Sequence, residues 1–187
     1  MCTGRKIEPV DRKCYTDSQN GGMAVILEHR KIEPGTGHRE GRRLLRAMYE
    51  KLTGNPMPEI AISDRGKPYF PGNPLYFSIT HTKNHVFCAI SSCPVGIDAE
   101  EEGRPVKPVL AEKILSEPEK QRYAAEPDKN AALLRFWVLK EAYLKMLGTG
   151  LTGYPNQTDF DPNDSRITRT EGCFLAVIQE KGQEYVI

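Results

Sequence analysis

No stretch of this 187-residue chain approaches the run of about 20 apolar residues that a transmembrane helix needs, which argues against a membrane-spanning protein. The opening residues, Met1-Cys2-Thr3-Gly4-Arg5-Lys6, contain no apolar segment of the kind a secretory signal carries. For the same reason Cys2 is not expected to carry a lipid. Excess charge is also missing. The formal net charge is +1, so no global field draws the chain to nucleic acid or to an anionic membrane. Cysteine is sparse and unpaired in pattern. Cys2, Cys14, Cys88, Cys93 and Cys173 are odd in number and form no Cys-x-x-Cys pair. That argues against a disulfide framework and against a zinc site, and reduced thiols in a cytoplasm are the expectation. Low-complexity tracts and repeats are absent from the sequence as well. What remains is an ordinary globular composition, 39% hydrophobic and 27% charged, long enough for one sizeable core or two small similar lobes.

Periodicity then gives the elements. Met23 to Glu28 reads as a strand. Leu44, Leu45, Met48, Tyr49 and Leu52 recur at helical spacing, which predicts a helix from Arg39 to Leu52 stopped by Gly54. Ile60 to Ser63 is a short strand and Asp64 to Pro68 a turn. Leu75 to Ile79, Val86 to Ser91 and Val95 to Glu100 read as three strands. A short helix follows over Val109 to Leu115. Ser116-Glu117-Pro118-Glu119 is a capping-box start for a helix to about Ala125. Asp128 caps a long helix from Lys129 to Leu147, and Gly148 ends it. Tyr154 to Arg166 reads as an exposed loop. Two closing strands are expected, one from about Arg169 or Gly172 to Gln179 and one over Glu184 to Ile187, around a turn at Lys181-Gly182. Cys88 and Cys173 fall in apolar runs and are expected in the core. The order makes each half a helix against a small antiparallel sheet, an α+β pattern.

Two acidic segments carry the chemistry. In the strand Val95-Gly96-Ile97-Asp98-Ala99-Glu100, alternation points Asp98 and Glu100 to one face. Glu101 points to the other, and Ala99 is expected to face inward. In the helix Trp137-Val138-Leu139-Lys140-Glu141-Ala142-Tyr143-Leu144-Lys145, residues four apart put Trp137, Glu141 and Lys145 on one stripe. If strand end and helix face meet, three carboxylates converge beside one ammonium. Mg²⁺ favours a few carboxylates, waters and substrate phosphate oxygens, so the pattern suggests Mg²⁺-dependent chemistry on a phosphorylated substrate. Plainer readings stand beside this one. Asp98 and Glu100 also fit a solvated strand end, and Glu141 with Lys145 a surface ion pair worth a few tenths of a kcal/mol. Lys140 lies about 100° round the helix from Glu141. It reaches phosphates or the reacting hydroxyl, or is solvated. His85 fits a surface loop.

These segments resemble the paired signatures of the Sfp-type 4′-phosphopantetheinyl transferases: a Gly-Ile/Val-Asp-x-Glu strand, then a Trp-x-x-Lys-Glu-Ala/Ser-x-x-Lys helix. Gly66-Lys67-Pro68 is similar to the family's Gly-Lys-Pro turn. Phe77-Ser78-Ile79-Thr80-His81-Thr82 is similar to its Phe-Asn-x-Ser-His-Ser segment. The resemblance spans about Arg39 to Leu151. It implies two similar lobes, each a small antiparallel sheet plus a helix, related by pseudo-two-fold symmetry and dividing into residues 1–92 and 93–187. It implies transfer of 4′-phosphopantetheine from coenzyme A to a serine of an acyl or peptidyl carrier protein, with Mg²⁺ as cofactor and 3′,5′-ADP released, by a cytoplasmic monomer. In that light Asp98, Glu100 and Glu141 hold the metal, and Asp98, Glu141 and Lys145 are catalytic. Lys145 also contacts phosphate. Arg42, Arg43, Lys67, Pro68, Thr80 and His81 bind coenzyme A, with Arg42 and Arg43 at the helix start as the 3′-phosphate contacts. Thr80 and Thr82 replace the family's serines and keep a hydroxyl donor. The serine proton goes to Glu141, directly or through a metal-bound water. The alternative is an inactive relative that binds coenzyme A or a carrier; loss of one acid would mark it, and all three are present.

Overall fold

The computed structural model describes residues 12–15, 25–150 and 155–180. Its strands sort into three antiparallel sheets. The largest has four, in the order β1 (Arg12–Tyr15), β2 (Val25–Lys31), β6 (His85–Ser91) and β5 (Tyr76–His81). A second is the small hairpin of β3 (Ala61–Ile62) and β4 (Pro68–Tyr69). The third runs β7 (Val95–Glu101), β9 (Cys173–Gln179), β8 (Ile167–Thr170).

Alternation along the strands explains how the sheets stack. Phe87 and Ala89 of β6 and Val25 and Leu27 of β2 point one way and meet Val95, Ile97, Ala99, Cys173 and Leu175 of β7 and β9. The two larger sheets therefore pack face to face. The opposite residues of β6, Val86, Cys88 and Ile90, face helix α1 (Gly37–Thr53) through Leu44, Leu45, Met48 and Tyr49. The opposite residues of β9, Phe174, Ala176 and Ile178, face helix α4 (Lys129–Leu147), with α2 (Val109–Ile114) closing the same cluster. Both larger sheets are thus apolar on both faces, which is why β6 and β9 read as near-continuous hydrophobic runs. The mixed helix-and-sheet class holds. Among the described residues no helix is long and apolar enough to cross a membrane.

Local signals placed the helix ends well. Gly54 and Gly148 take left-handed conformations and close α1 and α4. The Ser116 hydroxyl accepts from Glu119 N–H, and the Glu119 carboxylate accepts from Ser116 N–H, so the capping box forms at the start of α3 (Glu117–Ala125). Asp128 caps α4 through Ala131 N–H. Differences fall elsewhere. Strand β2 runs on to Lys31, and β1 carries no sequence signal used above. The closing hairpin is earlier than expected: β8 turns into β9 at Glu171-Gly172, with Glu171 at φ 54°. The expected strand over Glu184–Ile187 and the turn at Lys181-Gly182 lie outside the described residues. His85 is not in a surface loop; it opens β6, with Nε2 3.6 Å from Glu171.

One glycine fixes how α4 sits. A Cβ on Gly96 would fall 1.9 Å from the Ala142 carbonyl oxygen and 2.4 Å from the Met146 nitrogen. These are backbone atoms of a packed helix and cannot step aside. Gly96→Ala is expected to cost more than about 3 kcal/mol of folding stability, at or beyond the usual range for overpacking. Urea unfolding of the purified variant measures it.

Candidate active site

Because Gly96 brings β7 against α4, the next residues on the same strand face, Asp98 and Glu100, meet the helix stripe of Trp137, Glu141 and Lys145. All five line one cavity of about 780 Å³. The β3–β4 hairpin and the end of β5 line it as well: Ile60, Ile62, Lys67 and Pro68, then Thr80 and His81. Arg42 of α1 also reaches it. Two bonds tie β5 to β7 where the cavity floor lies. Ser78 Oγ accepts from Ile97 N–H at 3.1 Å, and Thr80 Oγ1 donates to Asp98 Oδ1 at 2.9 Å.

The charges are arranged unevenly. Asp98 is buried, and its Oδ1 also accepts from Lys145 Nζ at 2.6 Å. Lys145 therefore pairs with the strand acid rather than with its helix neighbour Glu141. Glu100 pairs with Arg104. Burial pushes the Glu100 carboxyl up; Asp98 adds to this, while Arg104 and the Trp137 indole oppose it. Glu141 is pushed up to about 7, by burial first and then by the charges of Asp98 and Glu100, with Lys145 opposing. Among the described residues no three acidic, histidine or cysteine side chains stand grouped as a metal centre. Two of the three acids are turned onto their own cations.

Other expected site residues divide. His81 is exposed at the end of β5; its ring covers Gly37 at the start of α1 and sits edge-on to His38, with centroids 5.5 Å apart. Arg43 does not line the cavity: it is exposed, and its guanidinium donates to Glu40 at 3.0 Å. Thr82 lies off the cavity too, its hydroxyl accepting from His85 N–H at 3.2 Å in the turn before β6. Lys67 lines the cavity, but its ammonium donates to the Met146 carbonyl at 2.7 Å. Lys140 is neither in the cavity nor solvated. It is 1% exposed, pairs with Glu119 at 2.7 Å, and donates to the carbonyls of Pro155 and Thr158. A step of about 100° from Glu141 takes it off the site face and into the core.

Sequence reasoning did not single out Arg104 or His38. Arg104 had a usable signal. Gly103 takes φ 79° and Arg104 N–H donates to the Glu101 carbonyl, so a turn after β7 folds Arg104 back over Glu100. His38 sits just before the expected helix start and gave no signal of its own.

Comparison with known proteins places the class. Residues 94–186 match the model of the 4′-phosphopantetheinyl transferase superfamily. That match agrees with the resemblance carried by the two acidic motifs. The chain is 31% identical over 117 residues to the 4′-phosphopantetheinyl transferase psf-1 of Bacillus pumilus, an alignment covering 60% of this chain and 50% of that protein. It is 32% identical over 90 residues to the 4′-phosphopantetheinyl transferase Sfp of Bacillus subtilis (strain 168), covering 46% of this chain and 40% of that one. It is 31% identical over 122 residues to the 4′-phosphopantetheinyl transferase HetI of Nostoc sp., covering 59% and 51%. The chain spans about half the length of the curated relatives it matches, and the resemblance to the Sfp type holds.

Two outcomes follow from the charges. Lys140→Met leaves Glu119, which is 0% exposed, without its cation, and frees two backbone carbonyls. The expected loss is about 3–5 kcal/mol by chemical denaturation. For Glu141, the folded pKa lies above its ordinary value of 4.5, so the folded chain holds a proton that the unfolded chain has released. Stability from this group is present below pH 4.5 and is lost as pH rises toward 7. In chelator-treated buffer, Glu141→Gln is expected to gain stability relative to the parent chain as pH is raised from 5 to 8. Thermal unfolding across that range checks the sign.

Proposed function

We propose that this chain moves 4′-phosphopantetheine from coenzyme A onto a serine hydroxyl of an apo carrier protein, with Mg²⁺, releasing 3′,5′-ADP. The observation that carries the reading is one cavity lined by the β7 carboxylates, Glu141 and Lys145 together with the hairpin and Thr80-His81. The family matches above support it. We also read the chain as two lobes, 1–92 and 93–187, related by pseudo-two-fold symmetry and working as a monomer. In support, α1 on the four-stranded sheet and α4 on the three-stranded sheet repeat one helix-on-sheet plan.

The donor set suits a hard cation. It is oxygen only, and the crowding of negative charge that pushes Glu141 up is what a divalent ion relieves. Asp98, Glu100 and Glu141 would hold it, Asp98 and Glu100 exchanging contacts with Lys145 and Arg104. When bound, Mg²⁺ neutralises the pyrophosphate and makes its phosphorus more electrophilic.

The chain's own residues supply the rest. Arg42 and His81 take the 3′-phosphate end, and Pro68 and Thr80 bound the nucleotide. Lys145, at the inner end of α4, donates to phosphoryl oxygens as charge builds on them. The serine oxygen forms a bond to the phosphorus bearing pantetheine, and the bond from that phosphorus to the bridging oxygen breaks. The electron pair leaves on 3′,5′-ADP. Glu141 takes the serine proton.

Mass spectrometry of an apo carrier incubated with the chain, coenzyme A and Mg²⁺ tests the class: the expected product is carrier plus one phosphopantetheine. Glu141→Gln keeps volume and helix propensity and is expected to lower the rate by on the order of 10²–10⁴ while the chain stays folded. A near-parental rate for that variant in saturating Mg²⁺ overturns the role given to Glu141.

A further inference from the structure

The β3–β4 hairpin forms a whole wall of the cavity, yet little of its own holds it up. Each strand has two residues, with only Ala61 opposite Tyr69 and Ile62 opposite Pro68. Pro68 has no N–H to give to that ladder, and hairpins so short are marginal alone. Burial does not hold the tip either: Ile62 is 58% exposed and Tyr69 44%. The hairpin's base is anchored, since Phe70 lies in the core against α1 and Ile60 packs on its edge. Its tip is ordered locally by one serine. Ser63 N–H donates to the Lys67 carbonyl, Ser63 Oγ accepts from Lys67 N–H at 3.0 Å, and Gly66 N–H donates to the Ser63 carbonyl.

Lys67 ties this tip to the rest of the molecule. Its ammonium crosses to the C-terminal end of α4 and donates to Met146 O at 2.7 Å. That carbonyl is in the last turn of a helix ending at Leu147, where carbonyls lack an intrahelical donor and the helix end favours a cation. The stem lies over Gly148: a Cβ there would fall 2.8 Å from Lys67 Cδ. A glycine at that point thus closes the helix and gives the lysine its track. Burial lowers the Lys67 pKa, as expected for an ammonium drawn off solvent into a fixed seat.

We propose that Lys67 is a positioning residue: its ammonium straps the hairpin tip to the end of α4 and so sets the width of the cavity, and it is not a phosphate contact of coenzyme A. This rests on the coenzyme A reading for its consequence, but not for the strap itself. Arg65 to Pro68 form one wall, and Glu141, Lys145 and Gly148 the other. The Lys67–Met146 bond is a direct hydrogen bond across them.

The test compares Lys67→Met, which keeps the stem and removes the donor, with Lys67→Arg, which keeps a donor. Amide hydrogen exchange is followed in the ligand-free chain, with global unfolding measured in parallel to separate local opening from loss of fold. In Lys67→Met, amides of residues 61–69 are expected to exchange on the order of tenfold faster, the effect of one lost hydrogen bond to a charged donor. Lys67→Arg should retain most of the protection. Coenzyme A affinity by calorimetry should fall with the hairpin's protection, and in turnover the loss should appear in KM more than in kcat. Parental exchange across 61–69 in Lys67→Met, with a weakened affinity, overturns the strap and makes Lys67 a direct contact. If the parent chain binds no coenzyme A, the functional reading fails, and the exchange data alone still decide the strap.

Discussion

The site depends on a backbone approach at Gly96. A strand residue without a side chain lets the Ala142 carbonyl and the Met146 amide of α4 settle directly onto β7. The candidate site residues are then counted from that point. One residue pair further along β7, about 7 Å at strand rise, is Asp98, and the next is Glu100. One residue back from Ala142 on the helix is Glu141, and one back from Met146 is Lys145. The same contact that seats the helix core therefore sets which acids and which lysine face each other. A helix held even one methyl farther off would keep its apolar contacts in outline and lose the register of the charges.

That closeness has an electrostatic cost. Three carboxylates line one partly desolvated cavity, with Lys145 on Asp98 and Arg104 on Glu100 as contacting cations. Glu141 carries the imbalance and responds by rising to about 7. A folded chain that concentrates like charge in this way is poised for a cation or for a ligand that brings one. The pairs on Asp98 and Glu100 matter to this. They orient the acids when nothing is bound, and on the proposed reading they supply cationic donors for phosphate once the acids take another partner.

How far the sequence could be read followed the range of the interaction. Helix ends were legible because Gly54, Ser116, Asp128 and Gly148 act on backbone within one turn. The shared face of Asp98 and Glu100 and the stripe of Trp137, Glu141 and Lys145 were legible because they follow from two fixed periods. The strand β8 was missed because its turn is Glu171-Gly172, where a non-glycine residue takes a positive φ, and the Lys181-Gly182 dipeptide was the stronger turn signal. Lys67 was read as a coenzyme A contact, and Lys140 as a phosphate or hydroxyl contact or a solvated cation, because their partners in the fold are distant in sequence. The Met146 carbonyl and the carbonyls of Pro155 and Thr158 carry no side-chain mark in the sequence at all.

The two lysines of the helix motif show why spacing alone separates roles that composition cannot. Lys140 and Lys145 are five residues apart, so they lie about 140° apart around α4 and cannot serve one surface. Lys145 shares the face of Glu141 and stays partly exposed in the cavity, paired with Asp98, a carboxylate that on the proposed reading it exchanges for a phosphate. Lys140 faces the far flank, where Glu119 and two carbonyls take all three of its hydrogens and leave it nothing to exchange. Glu119 in turn accepts from Ser116 N–H and Phe160 N–H, so one buried pair satisfies four backbone groups from two separate segments. Gly96 fixes α4 on one side by contact, and Lys140 fixes it on the other by hydrogen bonds. Rotation of the helix about its axis is opposed from both flanks, and the face left between them is the one that carries Trp137, Glu141 and Lys145.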